Sequence, residues 1–155
     1  MKQIKEMLAR YEGAHDLTKP TTMARVEQFA AQLHLVLPKD VKTFLTTIGN
    51  GGEIFVPGTV LYGIYDRDCG RVQEMSELMP YWNRAEIRME YQLPRGFYVI
   101  GMTNYGNVIG IDEKTGKIVE WDHEVGKPFI TWDTFREYLA QEIAEYERYL
   151  REEGE

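Results

Sequence analysis

Apolar residues recur at three- and four-residue steps near both ends of the chain and gather into short β-branched and aromatic runs between them. This pattern predicts helices around an antiparallel sheet. Ile4, Met7, Leu8 and Tyr11 share one face of a first helix over residues 2 to 11, with Gly13 as its stop. Thr21 or Thr22 can cap a second helix, in which Val26, Phe29, Ala30 and Leu33 form the apolar face before it ends near His34. Leu37-Pro38 opens a third, because proline's missing N–H costs nothing at a helix start and Asp40 meets the positive end of the dipole. Its buried stripe is Val41, Phe44, Leu45 and Ile48, and Gly49-Asn50-Gly51-Gly52 ends it.

Beyond that turn the period shortens. Glu53 to Val56 and Thr59 to Ile64, parted by Pro57-Gly58, read as a hairpin. From Tyr65 to Leu93, Val72, Met75, Leu78 and Met79 suit a helix that Pro80 is expected to interrupt, leaving a partly helical connection. Phe97 to Thr103, Asn107 to Asp112 and Lys117 to Asp122 read as a three-stranded meander, turning at Asn104-Tyr105-Gly106 and at Glu113 to Gly116. A long closing helix is predicted from about Trp132 to Arg151, with Trp132, Phe135, Leu139, Ile143, Tyr146 and Leu150 on its apolar face. The expected class is therefore α+β: a central, mostly antiparallel sheet with a C-terminal meander, flanked by N-terminal helices and a long C-terminal helix.

Length and composition agree with one domain over residues 1–155, since 155 residues with 43% hydrophobic and 28% charged content can bury a core. Met1 to Glu6 interleave charge with apolar residues, unlike a secretory signal, and no run of 18 apolar residues could cross a bilayer. Cys69 is the only cysteine and has no partner for an internal disulfide. A cytoplasmic location is expected from these features, with no membrane contact.

The net charge of -7 is regional. Residues 1 to 111 hold 12 acidic and 12 basic side chains, whereas residues 112 to 155 hold 13 and 6. Such a field repels nucleic-acid backbones and steers basic proteins inward, so direct nucleic-acid binding is not expected. The alternative is a solvated face that keeps the protein soluble.

Catalytic machinery is hard to find. Ser76 is the only serine and lacks a nucleophile elbow, while Cys69 is flanked by Asp66 and Asp68, which would raise its pKa. Asp122-His123-Glu124 is the best local set of metal ligands, yet adjacent strand residues point to opposite faces, and neither His15 nor His34 completes a site. Thr115-Gly116-Lys117 imitates the end of a phosphate loop without its glycine spacing. Catalytic residues, metal and cofactor are accordingly expected to be absent. The aromatic residues, including Tyr81, Trp82, Trp121 and Trp132, are expected mainly in the core, with a minority free to form an interface.

The order of these signals resembles the SUKH superfamily, the Smi/Knr-type domain shared by fungal cell-wall synthesis regulators and bacterial toxin-immunity proteins. The likeness spans roughly residues 22 to 140. It rests on Leu37-Pro38-Lys39-Asp40, the Gly49-Asn50-Gly51-Gly52 stop and Val60-Leu61-Tyr62-Gly63-Ile64. It continues through Val99-Ile100-Gly101, Gly106 to Asp112, Gly116 to Asp122, and an aromatic helix opening at Phe129 to Phe135. The resemblance implies a non-catalytic protein-binding domain, with Leu37, Pro38, Gly51, Gly52, Gly101 and Gly106 as fold determinants. In bacteria it implies an immunity protein that neutralises a toxin, often a nuclease, by covering its active site. Joined to the acidic C-terminal third, it suggests a basic toxin as partner and Glu120, Asp122, Glu124, Glu142 and Glu145 as contact residues. A general regulatory interaction module is the second reading, and a small-molecule or enzymatic cleft between sheet and helices the third. Either a monomer or a homodimer through the aromatic helix is compatible with the sequence.

Overall fold

The computed structural model describes every residue except Arg71 and Glu155. The chain begins with helix α1 (Lys2–Ala9), a short 3-10 turn (Glu12–Ala14) and strand β1 (Asp16–Leu17). Two helices follow, α2 (Met23–Gln32) and α3 (Lys39–Thr47). The Thr22 side chain accepts from the Arg25 N–H, satisfying a donor that the first turn of α2 would otherwise leave free. Pro38 stands immediately before α3, Asp40 lies in its first turn, and Val41, Phe44 and Leu45 are buried.

The sheet then assembles in chain order. Strands β2 (Gly52–Ile54) and β3 (Thr59–Leu61) form the predicted hairpin. Helices α4 (Met75–Trp82) and α5 (Ala85–Glu90) intervene before β4 (Phe97–Met102), β5 (Val108–Asp112), β6 (Ile118–Asp122) and β7 (Lys127–Trp132), and α6 (Phe135–Glu153) closes the chain. Among the described residues seven strands join one antiparallel sheet in the order β1 to β7, the hairpin meeting the meander where Val60 and Leu61 pair with Met102 and Gly101. Four or five consecutive residues are buried in each of β4, β5 and β6, so the middle of the sheet is covered on both faces. Phe44 of α3 meets Phe135 of α6 edge to face at 5.4 Å between ring centres.

The turn after α3 shows why glycine is needed there. Gly51 has φ of 82° and a Cβ on it would lie 2.6 Å from the Gly63 amide nitrogen, while Gly52 has φ of 125° and packs against the β1 backbone at Asp16. Between them and α3, the buried Asn50 side chain donates to the Ile64 carbonyl at 2.8 Å and accepts from the Ile64 N–H at 2.9 Å, fastening the turn to the end of the hairpin. Leu37 is buried, and a Cβ on Gly101 would meet the Val60 carbonyl at 2.7 Å, as close strand packing requires. Gly106, at φ of 95°, turns the chain between β4 and β5.

Two local expectations need correction, and one strand is added. Pro80 does not interrupt its helix: it lies late in α4, where only the bond to the Ser76 carbonyl is lost, and Asn83 N–H still bonds to Met79 O at 2.9 Å. Burial of Trp82, whose indole N–H donates to the Tyr62 hydroxyl at 3.3 Å, holds that last turn in place. Asp16 and Leu17 form an edge strand too short to show periodicity. Finally, Phe129 to Trp132 belong to β7 and not to the closing helix. Gly126, at φ of 70°, reverses the chain after β6, and the Thr134 side chain caps α6 by accepting from the Glu137 N–H.

Candidate functional site

The candidate residues of the C-terminal third come from β6 and α6, and the structure divides them. Glu120, Glu142 and Glu145 line a single cleft of ≈ 450 Å³ between the sheet and α6. Asp122 and Glu124 lie outside its lining, at the turn after β6. There an Asp122 oxygen accepts from the N–H groups of Glu124 at 2.9 Å and Val125 at 3.3 Å. That carboxylate is engaged in shaping a turn, as Asp commonly is.

Glu120 forms the floor. It is only 4% exposed, and one oxygen accepts from the Tyr105 hydroxyl at 2.7 Å and from the Asn107 amide at 2.9 Å. Because the Asn107 NH2 group faces Glu120, its oxygen faces His123 and accepts from Nδ1–H at 2.9 Å, which fixes the histidine tautomer. Asn107 is held by the turn between β4 and β5, where its N–H donates to the Thr103 hydroxyl at 3.0 Å. Among the described residues no Lys, Arg or His nitrogen lies within salt-bridge distance of Glu120 or Glu142.

Glu142 faces the cleft from α6. Burial, with smaller contributions from Glu120 and Glu145, pushes its carboxyl up to about 7, although the Tyr138 hydroxyl one helical turn away opposes the shift. Tyr138 is fully buried, and its hydroxyl lies near Thr59 and Glu142 but hydrogen-bonds to no group. Glu145, nearer the rim, accepts from Arg148 at 2.7 Å and from Gln141 at 3.0 Å. Burial and the adjacent Glu120 carboxylate together raise the Tyr105 hydroxyl well above its ordinary value.

The walls are aromatic. Phe129 is 59% exposed and is the extra residue of a β-bulge: Glu120 pairs with Ile130 and Trp121 with Pro128, leaving Phe129 without a partner on β6. A bulge of this kind re-aims a side chain, and here Phe129 lines the cleft with Trp132 and Tyr105. Phe55 and Tyr146 close the far end, stacked with ring centres 4.3 Å apart. No Ser, Cys, His, Lys or Arg is among the lining residues, and the cleft presents carboxylates, ring faces and the Thr59 hydroxyl.

The remaining chemical candidates lie elsewhere. Cys69 is buried and its sulfur donates to the Pro20 carbonyl at 3.4 Å; burial raises its thiol pKa, with a further contribution from Asp66. His15 accepts at Nδ1 from the Phe55 N–H at 3.1 Å, and burial lowers its pKa. Trp82, Trp121 and Trp132 are buried, whereas Tyr81 is exposed. Among the described residues, no group of three or more His, Cys, Asp and Glu side chains is arranged to hold a metal ion, and no helix is long and apolar enough to cross a membrane.

The sequence model of the SMI1 / KNR4 family (SUKH-1) matches residues 20–141, from just before α2 into the first turns of α6. The chain belongs to the SMI1 / KNR4 family (SUKH-1). No curated protein matches closely enough to add a relative of known activity. The SMI1 / KNR4 match includes Glu120, the β4–β5 turn and β7 but stops one residue short of Glu142. The α6 side of the cleft therefore lies largely beyond the matched region.

Tyr105, Asn107 and Phe129 were not singled out as site residues by sequence reasoning. The turn Asn104-Tyr105-Gly106-Asn107 was legible as a turn, but its hydrogen bonds to a buried carboxylate depend on the β5–β6 register. Phe129 depends on the bulge in β7, and no periodicity reveals a bulge.

Proposed function

We propose that this SMI1 / KNR4 domain is a non-catalytic binding protein of the immunity type, which neutralises a basic toxin, most simply a nuclease, by covering its active site. The observation that carries this reading is the cleft in which Glu120, Glu142 and Glu145 meet without a basic lining residue. A nuclease must be positively charged to hold phosphate, and an inhibitor with the opposite field gains both steering and competing ion pairs over that surface. Asp122 and Glu124, on the turn that follows the Glu120 strand, add to the same field. Exposed Phe129 and Tyr105 supply apolar contact area beside the carboxylates.

The test is to look for a toxin gene beside this protein's gene and to follow association with the toxin domain it encodes by stopped flow. The association rate should fall about tenfold or more as salt rises from about 50 to 500 mM, because exposed charges lose long-range attraction. The double reversal Glu142→Lys and Glu145→Lys should slow association further and remove protection from the toxin. Salt-independent association, or full protection by the double variant, would contradict the proposal.

A further inference from the structure

We propose that the cleft between β6, β7 and α6 is a receptor for one guanidinium group, so that an arginine side chain of the partner inserts between Glu120 and Glu142 with its plane against the aromatic walls. This rests on the reading above, in that the partner is a basic protein, and adds the chemistry of its central contact.

The argument begins with what the fold leaves unpaired. Among the described residues, Glu120 is buried with two neutral donors and no cation within salt-bridge distance, and Glu142 faces the same space with none either. Burying a carboxylate without a counter-charge is costly, and such groups elsewhere are paired or bind a cation. A second observation points to the same space. The Tyr138 hydroxyl is an unpaired polar group on a side chain that is 0% exposed, next to Thr59 and Glu142, which both line the cleft.

Shape selects among cations. Guanidinium is flat, weakly hydrated, carries five donors in a fixed fork and stacks on ring faces, whereas ammonium is compact and strongly hydrated. Tyr105, Phe129 and Trp132 supply ring surfaces along the walls, and the carboxylates lie on two different elements, suited to a forked donor more than to a point charge. At ≈ 450 Å³ the cleft also has room for a side chain but not for a folded element.

A pH dependence follows. The groups facing Glu142 are Glu120 from β6, Tyr105 from the β4–β5 turn, and Tyr138 and Glu145 from α6. Burial raises both tyrosine hydroxyls, which stay neutral in the physiological range, whereas Glu142, pushed up to about 7, changes charge there. Guanidinium affinity should rise as pH increases from 6 to 8, because Glu142 ionises across that interval.

The experiment titrates N-acetyl-arginine N-methylamide, and separately the lysine analogue, into the full chain at low salt, observed by NMR of backbone amides and side-chain carboxyls. The arginine probe should give saturable shifts at Glu120, Glu142, Tyr105 and Phe129 with a dissociation constant on the order of 1 mM, about tenfold weaker in Glu142→Gln. The lysine analogue should bind at least about threefold more weakly. No saturable shift in the cleft, shifts confined to the rim at Glu145, equal affinity for both probes, or no change in Glu142→Gln would each overturn the inference. Since the probe is independent of the toxin, the two readings fail separately. A protein that takes the probe but ignores the toxin refutes the immunity role alone, and one that binds the toxin but not the probe refutes the guanidinium site alone.

Discussion

Two buried or half-buried carboxylate regions in this protein have opposite electrostatic outcomes. Asp66, 5% exposed in the loop after the hairpin, accepts from the Thr21 hydroxyl at 2.8 Å and from the Asp68 N–H at 3.0 Å, with Arg25 Nε 3.4 Å away. These partners, the Thr21 hydroxyl first, hold its carboxyl below the usual value. Glu142, on α6, has no cation within salt-bridge distance among the described residues and is pushed up to about 7 by burial and by Glu120 and Glu145. The first region fastens a loop to the start of α2 and is electrostatically complete. The second is incomplete in the isolated chain, as expected of a surface that another molecule finishes.

The difference can be broken at either end. The largest effect is expected at the satisfied site: Asp66→Ala strands the buried Thr21 hydroxyl and frees Arg25, and should cost about 3 kcal/mol in urea unfolding at pH 7. A cost below about 1 kcal/mol would show that the network is ornamental. Next comes Glu142→Gln, which should stabilise the protein by about 2 kcal/mol at pH 8 and by almost nothing at pH 4. The sign follows from the raised folded-state value. The stability associated with a neutral Glu142 is fully present below its unfolded value of 4.5 and is lost as pH rises through about 7. Asp66 behaves in the opposite sense, contributing above its unfolded value of 3.8 and losing that contribution only as pH falls below it.

Smaller effects sharpen the contrast. At pH 5, where Glu142 is uncharged, Tyr138→Phe removes an unpaired hydroxyl and should be neutral or stabilising by about 0.5 kcal/mol, whereas Thr21→Val removes a paired one and should cost about 1 kcal/mol. The smallest change is expected for Arg148→Ala. Its exposed pair with Glu145 should be worth under about 0.5 kcal/mol in thermal unfolding, although removing the cation should strengthen attraction of basic partners.

Much of the architecture was legible because it rests on local chemistry. Thr22 as a cap, Pro38 before α3, Gly51-Gly52 at the stop and the β-branched runs of β4 to β6 each act within a few residues. What escaped depends on long-range pairing. Asp16-Leu17 becomes a strand only beside Glu53 and Gly52, and the run from Phe129 to Trp132 becomes β7 only because β6 lies next to it. The same division holds for the site. The regional excess of carboxylates was visible in the sequence, and Glu120, Glu142 and Glu145 do share a cleft. That Asp122 turns to its own loop, that Tyr105 and Asn107 hold Glu120, and that a bulge brings Phe129 to the wall are consequences of register.

The most direct measurement is the titration of individually assigned carboxyl carbons by NMR in the isolated chain. An uncompensated cleft predicts a Glu142 midpoint near 7 while Asp66 titrates below 3.8. A Glu142 midpoint near its ordinary 4.5 would mean that water or an internal cation already satisfies the group, and the idea of a surface awaiting a positively charged partner would lose its physical basis.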